Sequence, residues 1–473
     1  MAKDVNNKRI KARKLKGFRD YFDSEINLRF HVVEQLKQVG ELFGFQPTDT
    51  PALEYAEVLL GEGGETDKQA YTFTDQGGRE VALRYDLTMP FARFVCEHQG
   101  RYHLPLKRMQ IGKVWRAEKP QKGRYREFLQ GDVDILGESS IYAELDILLL
   151  MASFLARFPS LSFVIHIGHR EVLSYLVQEV LGLKDSEQER TAFIIIDKLS
   201  KVGRDVVSIK LAEIPGIQQA KIPYFLDLIT VPLETTNNHN SSSSPCFDYL
   251  KNSDVWPAML SIQNMVSQVN AQYKNVVCAV DLSLARGLDY YTGIVFETMI
   301  TGHEDLGSIW SGGRYARIMN RFQRTSHSGV GASLGIDRFV SVLLGTLPAT
   351  DPVLSATSPF VFLVTDLKQP HSLEAVFVTA QKLRALGITV CHGLSQDKVR
   401  KQYQQAARLQ AKYAVFLEFD QSTLGPQFAS QCQFEQIPVK IKELALREEN
   451  SGYLSDLVQK FHYLRQSPTQ KKS

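Results

Sequence analysis

Residues 106–136 read LKRMQIGKVWRAEKPQKGRYREFLQGDVDIL: two runs of strand-like alternation joined by a polar connection dense in cations. Side chains alternate between the two faces of a strand. Gln110, Gly112, Val114 and Arg116 therefore share one face of the first run. On the returning run Arg126, Phe128, Gln130, Asp132 and Asp134 share one face, and Leu129, Val133 and Ile135 share the other. One side of this long hairpin can pack a core, while the opposite side collects Arg, Gln and Asp. Such a polar side is either an ordinary solvated sheet surface or a site for a zwitterion lying beside a polyphosphate. The connection from Arg116 to Arg126 favours the second reading. It carries Lys119, Lys122 and Arg124 around Pro120 and Gly123, and guanidinium forks match phosphate oxygens.

Working outward, a helix is expected from about Ser24 to Phe43, with Ser24 as its cap, Leu36, Val39, Leu42 and Phe43 at helical spacing, and Gly44 as its stop. An extended stretch to Pro51 follows. Residues from about 70 to 137 read as strands. Among them Tyr71–Phe73 and Val81–Leu83 flank the turn signal Asp75-Gln76-Gly77-Gly78. A helix rich in Leu and Ala is expected over about 140–157. Strand patterns resume at Val276–Val280 and Gly293–Met299. Between them, residues 172–272 read as a helical insertion, interrupted by the low-complexity run Thr235–Ser244. After a Pro/Thr/Ser-rich linker, strands at Phe360–Val364, Ile388–Cys391 and Tyr413–Leu417 alternate with helices, which implies a small α/β domain. The resulting division is a basic tail (1–16), a core in two parts (17–171 and 273–346) around the insertion (172–272), a linker (347–358), a small domain (359–465) and a tail (466–473).

The 473 residues allow two to four domains. Net charge is only +3, with a local excess at Lys8, Arg9, Lys11, Arg13, Lys14 and Lys16. That run reads first as a solvated tail and second as a phosphate-binding arm. Cys96, Cys246, Cys278, Cys391 and Cys432 show no C-x-x-C spacing, so neither zinc nor a disulfide framework is indicated. There is no apolar signal core and no long apolar run, and a cytoplasmic chain with reduced thiols is expected. Other nucleotide-site patterns are missing. Gly61-Glu62-Gly63-Gly64-Glu65 lacks the lysine and hydroxyl of a P-loop. His166 and His169 fall on opposite faces of an expected strand, which suits packing or surface roles better than metal binding.

Four pieces in order carry a more specific message. They are Leu83-Arg84-Tyr85-Asp86-Leu87-Thr88, the connection continuing through Glu127-Phe128-Leu129-Gln130, Ala285-Arg286-Gly287-Leu288-Asp289-Tyr290-Tyr291-Thr292-Gly293, and Gly331-Ala332-Ser333-Leu334-Gly335-Ile336-Asp337-Arg338. Together they resemble the histidyl-tRNA synthetases, with the connection similar to class II motif 2, the Arg286 peptide to the family's signature, and the Arg338 stretch to motif 3. The resemblance runs from about Gly17 to Leu344, apart from the helical insertion. The helix to Phe43 and the strand to Pro51 would be motif 1, which builds a homodimer interface in that family. The small C-terminal domain resembles the family's anticodon-binding domain in pattern only, and departs from it around Leu417–Gln433.

The resemblance implies an α+β catalytic domain built on an antiparallel sheet, an overall α/β chain, and a histidine–tRNA ligase reaction in the cytoplasm. L-Histidine would be activated by ATP with Mg²⁺ as its counter-ion, then passed to the 3′ end of tRNA(His), with no zinc and no organic cofactor. Arg116, Arg286 and Arg338 would surround the triphosphate as catalytic groups, joined by Glu118 and Gly335 in binding ATP. Asp86, Thr88, Gln130, Asp134, Tyr290 and Tyr291 would receive histidine. Gln121, Lys122 and Arg126 would meet the tRNA acceptor end. Two alternatives are a non-catalytic regulatory subunit of ATP phosphoribosyltransferase and a tRNA-binding module. Retention of Arg286 and of a C-terminal α/β module argues against the first.

Overall fold

A computed structural model describes residues 10–61, 69–98, 100–121, 123–230, 245–287, 291–316, 318–323, 327–348, 351, 353, 361–366, 372–393, 398–418 and 437–466, the side chains as far as 460. The chain divides into two units, Met1–Leu354 and Ser355–Ser473.

The first unit is organised by an eight-stranded sheet in the order β1-β5-β6-β11-β10-β9-β7-β8. Its strands are β1 (Gln46–Pro47), β5 (Leu106–Trp115), β6 (Glu127–Leu136), β7 (Phe163–His169), β8 (Val276–Val280), β9 (Tyr291–Ile300), β10 (Trp310–Tyr315) and β11 (Gly329–Gly335). The long hairpin forms as its alternation predicts, and its register places Arg108 opposite Asp134, Gln110 opposite Asp132 and Gly112 opposite Gln130. On the far side of β6, Gly331, Ser333 and Gly335 stand against Asp134, Asp132 and Gln130. The apolar face of the hairpin, with Met109, Val133 and Ile135, packs on Leu36 and Val39 of the helix Asp23–Leu42 and on the helix Ile141–Leu155. One face is thus sealed by helices, which leaves the other for polar residues. A separate three-stranded sheet orders β2 (Leu53–Tyr55), β4 (Glu80–Leu83) and β3 (Tyr71–Thr74) as β2-β4-β3. Its hairpin turn is closed by the Asp75 carboxylate, which accepts from the backbone of Gly77 and Arg79.

β7 and β8 lie side by side and parallel, and a parallel pair needs a crossover. Here the crossover is the helical run Arg170–Leu181, Ser186–Ile196, Arg204–Ala212, Ile222–Thr230, Pro245–Leu250 and Trp256–Asn270. The Thr235–Ser244 stretch lies outside the described residues. The second unit is a five-stranded sheet of β12 (Val361–Val364), β13 (Val390–His392), β14 (Tyr413–Leu417), β15 (Pro438–Glu443) and β16 (Glu448–Tyr453), ordered β13-β12-β14-β15-β16. Helices Ser372–Ala385 and Val399–Arg408 connect its three parallel strands.

Three local expectations need correction. The first helix begins one residue before Ser24, and its cap is Phe22 in extended backbone, with no side-chain cap hydrogen bond. Asp23 takes a left-handed φ of 51°, so the turn into the helix is made there. Residues 88–97 are not strand but the helix Thr88–Glu97. This stretch lies inside the span of about 70–137 expected as strand, and its helix buries Thr88, Met89, Pro90, Phe91, Ala92 and Val95. In the second unit, the antiparallel pair β15 and β16 was not foreseen, because β16 (Glu448–Tyr453) is mostly exposed and carries no alternating apolar pattern.

The start of the helix Ile336–Thr346 is fixed from several directions. Asp337 is 3% exposed. It accepts from Arg29 Nε at 2.7 Å and Nη2 at 3.2 Å, from Tyr21 Oη at 3.0 Å and from the Leu129 backbone at 2.8 Å. Removing one partner of a buried ion pair typically costs about 3–5 kcal/mol. Asp337→Ala should therefore destabilise the first unit by about that amount in urea unfolding; a loss below about 1 kcal/mol would mean Arg29 finds solvent instead.

Candidate functional site

The polar face of β5 and β6 is buried rather than solvated. Arg108, Gln110, Gln130, Asp132 and Asp134 are each no more than 5% exposed. Arg108 is the hub. Its Nη2 lies 2.8 Å from Asp134 Oδ2 and 3.9 Å from Asp132 Oδ2, its Nη1 donates to Gln110 Oε1, and its guanidinium sits 4.2 Å from the Phe91 ring centre. Tyr315 Oη donates to Asp134 Oδ1 at 2.9 Å. Gln130 Oε1 has no hydrogen-bond partner among the described residues. Burial pushes Asp132 up to about 7, against the pull of Arg108 and with a further push from Asp134 and Asp86. Asp134 also moves up through burial, opposed by Arg108 and Tyr315.

Asp86 and Thr88 sit at one edge of this cluster. Asp86 lies in the turn after β4 and accepts from the Met89 backbone at 3.1 Å. Its carboxyl is raised by burial and lowered by the backbone of Met89 and by Arg116 and Arg108. Thr88 opens the helix Thr88–Glu97 and is buried. Tyr291, at the start of β9, is paired across the sheet with Tyr315. Its hydroxyl is pushed upward by burial and by Asp134, Asp132 and Asp86. The ring needs the two glycines beside it: a Cβ on Gly287 would come 2.2 Å from Tyr291 Cδ2, and one on Gly313 would come 2.8 Å from Cδ1. Gly331 is constrained likewise, because a Cβ there would lie 2.1 Å from Asp134 Oδ1. Tyr290 lies outside the described residues.

The cations gather next to these carboxylates. Arg116 follows β5 directly. Its Nε donates to the Tyr85 carbonyl at 3.0 Å and its guanidinium lies 5.2 Å from the Phe128 ring centre. Arg338 lies in the first turn of the helix Ile336–Thr346, and its Nη1 donates to the Ser308 carbonyl. Burial lowers the Arg338 guanidinium, and Arg124, Arg116 and Arg286 lower it further, with Glu118 opposing. This mutual repulsion is the sign that Arg116, Arg286 and Arg338, far apart in the chain, share one neighbourhood. Arg286 pairs with Glu297 on β9 at 2.6 Å and with Asp197 at 3.4 Å. Gly335 ends β11, and its N–H donates to the Ile309 carbonyl at 2.8 Å.

The loop between β5 and β6 folds back towards Arg338. Gln121 and Arg124 close it with reciprocal backbone hydrogen bonds, and Gly123 turns it at a φ of 73°. A Cβ on Gly123 would lie 3.9 Å from Arg338 Cγ. Glu118 is 3.7 Å from Arg124, and its carbonyl accepts from Arg126 Nε at 3.0 Å. Arg126 also reaches the Lys16 carbonyl at 3.5 Å. Gln121 is exposed at the loop's end, and Lys122 lies outside the described residues.

The structure thus brings most of the chosen residues together and adds others. Arg108, Asp132, Tyr315, Glu297 and Asp197 were passed over. Arg108 and Asp132 were legible, because period-two alternation places them with Gln110 and with Gln130 and Asp134. Glu297 and Asp197 had no local signal. His169, half-buried at the end of β7, is lowered to about 4 by burial and by Arg314, and so stays neutral. Among the described residues no group of His, Cys, Asp and Glu is placed to hold a metal ion. No helix there is long and apolar enough to cross a membrane.

Comparison with known proteins follows the same lines. Residues 17–339 match the family described as Histidyl-tRNA synthetase. A histidine–tRNA ligase from Treponema denticola is 36% identical over 461 residues, 95% of this chain and 98% of that protein. The crystal structure of a histidyl-tRNA synthetase from a Nostoc species superposes with a TM-score of 0.79 at 26% identity, covering 96% of this chain and all of the other. A Bacillus halodurans structure titled ATP phosphoribosyltransferase regulatory subunit/histidyl-tRNA synthetase aligns at a TM-score of 0.66 and 21% identity, over 84% of this chain and 97% of that one, and shares the fold.

Proposed function

Because the chain belongs to the histidyl-tRNA synthetase family, we propose that the buried carboxylate cluster selects histidine and the arginine cluster beside it activates ATP. The enzyme is a histidine–tRNA ligase of class II. The reading is supported by two neighbourhoods that meet at Asp86: Arg338 feels Arg116 and Arg286, and Asp86 feels Arg116 on one side and Arg108, the partner of Asp132 and Asp134, on the other. Asp86, Asp132 and Asp134 share one buried cation, Arg108, and such a carboxylate-rich cluster suits the ammonium group of histidine. Arg116, Arg286 and Arg338 suit a polyanion, and ATP brings one, with Mg²⁺ as its counter-ion.

In the first step a carboxylate oxygen of histidine attacks the α-phosphorus. The bond to the bridging oxygen breaks, pyrophosphate leaves, and histidyl-adenylate forms. Negative charge builds on the α-phosphate oxygens during that exchange. Guanidiniums already fixed in place stabilise such charge without reorganising. Arg116 and Arg286 take the α-phosphate in this reading, and Arg338, with Glu118 and Gly335 nearby, takes the outer phosphates and nucleotide. Neutral imidazole offers one donor and one acceptor. Gln130, Asp134, Tyr290 and Tyr291 meet the ring, and Asp86 and Thr88 meet the ammonium. In the second step a ribose hydroxyl at the tRNA 3′ end attacks the histidyl carbonyl and AMP leaves. Gln121, Lys122 and Arg126 lie in the loop that would meet that end.

We also propose a cytoplasmic homodimer. Phe30 and Leu42 on the motif 1 helix, and Leu53, Tyr55 and Phe73 on the small sheet, are large apolar side chains left exposed. Residues 172–272 are taken as the helical insertion, and residues 359–465, after the 347–358 linker, as the anticodon-binding-like domain.

ATP–pyrophosphate exchange measured against all twenty amino acids tests the reading: exchange is expected with L-histidine alone, and exchange with another amino acid but not histidine would overturn it. A pH dependence follows from Asp132. Its carboxyl sits near 7, so it carries a proton increasingly below that pH and loses its attraction for an ammonium group. KM for histidine should accordingly rise as pH falls from 8 to 6, by more than the protonation of free histidine explains. In Asp132→Asn the excess slope should vanish; a slope as steep as in the parent would assign it to another group.

A further inference from the structure

Arg286 is held by two carboxylates from different parts of the chain. Glu297 belongs to β9, is 5% exposed, and meets Nη1 at 2.6 Å. Asp197 closes the helix Ser186–Ile196, in the helical run between β7 and β8, and stands 3.4 Å from Nε. Asp197 itself is anchored by its backbone N–H, which donates to the Phe193 carbonyl at 2.9 Å. Burial raises the Glu297 carboxyl, with Asp197 and Asp281 pushing the same way against Arg286 and Lys201, and Asp281 lies 3.6 Å from His166, the register partner of Glu297. The two carboxylates flank the guanidinium as charge contacts on two different nitrogens, Nη1 and Nε, and together restrict its position more than either alone.

We propose that Asp197 is a positioning residue for the activation step: with Glu297 it sets the orientation of the Arg286 guanidinium, and so ties the helical insertion to the α-phosphate site. The inference rests on the reading of Arg286 given above. A guanidinium whose plane is preset stabilises the transition state at no reorganisation cost, whereas a swinging one must be ordered during the reaction. The helix end supplies this constraint from outside the catalytic sheet, so a shift of that helix is felt at Arg286.

A double-mutant cycle in the ATP–pyrophosphate exchange assay on the full chain tests it. Asp197→Asn is expected to lower kcat about fivefold, roughly the value of a partly exposed ion pair, with KM for ATP little changed. Asp197→Glu, which keeps the charge, should recover part of the loss. In an Arg286→Ala background, Asp197→Asn should have no further effect, because interacting residues are non-additive. Equal losses in both backgrounds would overturn the proposal and leave Asp197 a general structural residue. If Arg286→Ala alone left exchange unchanged, the reading of Arg286 itself would fall, and the proposal with it. A thermal unfolding midpoint within about 0.5 °C of the parent limits global destabilisation to about 0.5 kcal/mol, because a chain of 473 residues shifts by only about 1 °C per kcal/mol.

Discussion

Arg116→Ala is expected to slow histidine-dependent ATP–pyrophosphate exchange by about 10²–10³-fold, the typical cost of removing one preorganised group that faces developing charge. The argument is geometric. Arg116 leaves β5 at the start of the motif 2 loop, and its backbone N–H is tied to the Arg126 carbonyl at 2.9 Å. Its Nε is spent on the Tyr85 carbonyl, and its guanidinium rests near Phe128. The group is held before substrate arrives, with its remaining N–H donors available. Charge that builds only in the transition state should be reflected in kcat more than in KM for ATP. Arg116→Lys should rescue little, because an ammonium group lacks the planar fork and is more strongly hydrated. Steady-state exchange rates over a range of ATP concentrations measure both parameters. A loss confined to KM would remove Arg116 from the activation chemistry and leave it a binding residue.

Asp134→Asn should lower kcat/KM for histidine on the order of 10²–10³-fold, within the roughly 2–5 kcal/mol seen when one partner of a buried charge pair is removed. Asp134 is held by Arg108 at 2.8 Å and by Tyr315 Oη at 2.9 Å, and it is packed against Gly331 so closely that no Cβ fits. Asparagine keeps the shape and forfeits the charge. Arg108 would then be buried with only the more distant Asp132 to balance it. KM for ATP is expected to stay near the parent value, because the arginine cluster is separately held. Titration of histidine in the exchange assay, with thermal unfolding as a control for folding, decides it. An unchanged KM for histidine in a folded Asp134→Asn protein would exclude this carboxylate from the amino acid site.

Much of this arrangement was legible locally. Alternation along residues 106–136 placed Gln130, Asp132 and Asp134 on one face, and the cation-rich connection marked the loop that folds over Arg338. The same alternation placed Arg108 beside Gln110, yet its importance was hidden. An arginine in a strand reads as a solvated residue unless something covers it, and Arg108 is fully buried. Residues 88–97 fall inside the span of about 70–137 expected as strand. A short apolar run does not distinguish a strand from a buried helix, and Thr88–Glu97 is the helix.

What the sequence determined by itself is what backbone geometry dictates within a few residues: which side chains share a strand face, where turns fall, and where a loop is too charged and too rich in Pro and Gly to be core. What only the tertiary structure decided is which faces meet. The order β5-β6-β11-β10-β9 brings Arg108, Asp134, Gly331, Tyr315 and Tyr291 together, and the crossover between β7 and β8 delivers Asp197 to Arg286. Strand order and helix docking are set by the total burial of apolar surface over the whole unit. No local pattern encodes that sum, so the partners of Arg286 and the burial of Arg108 emerge only once the chain has packed.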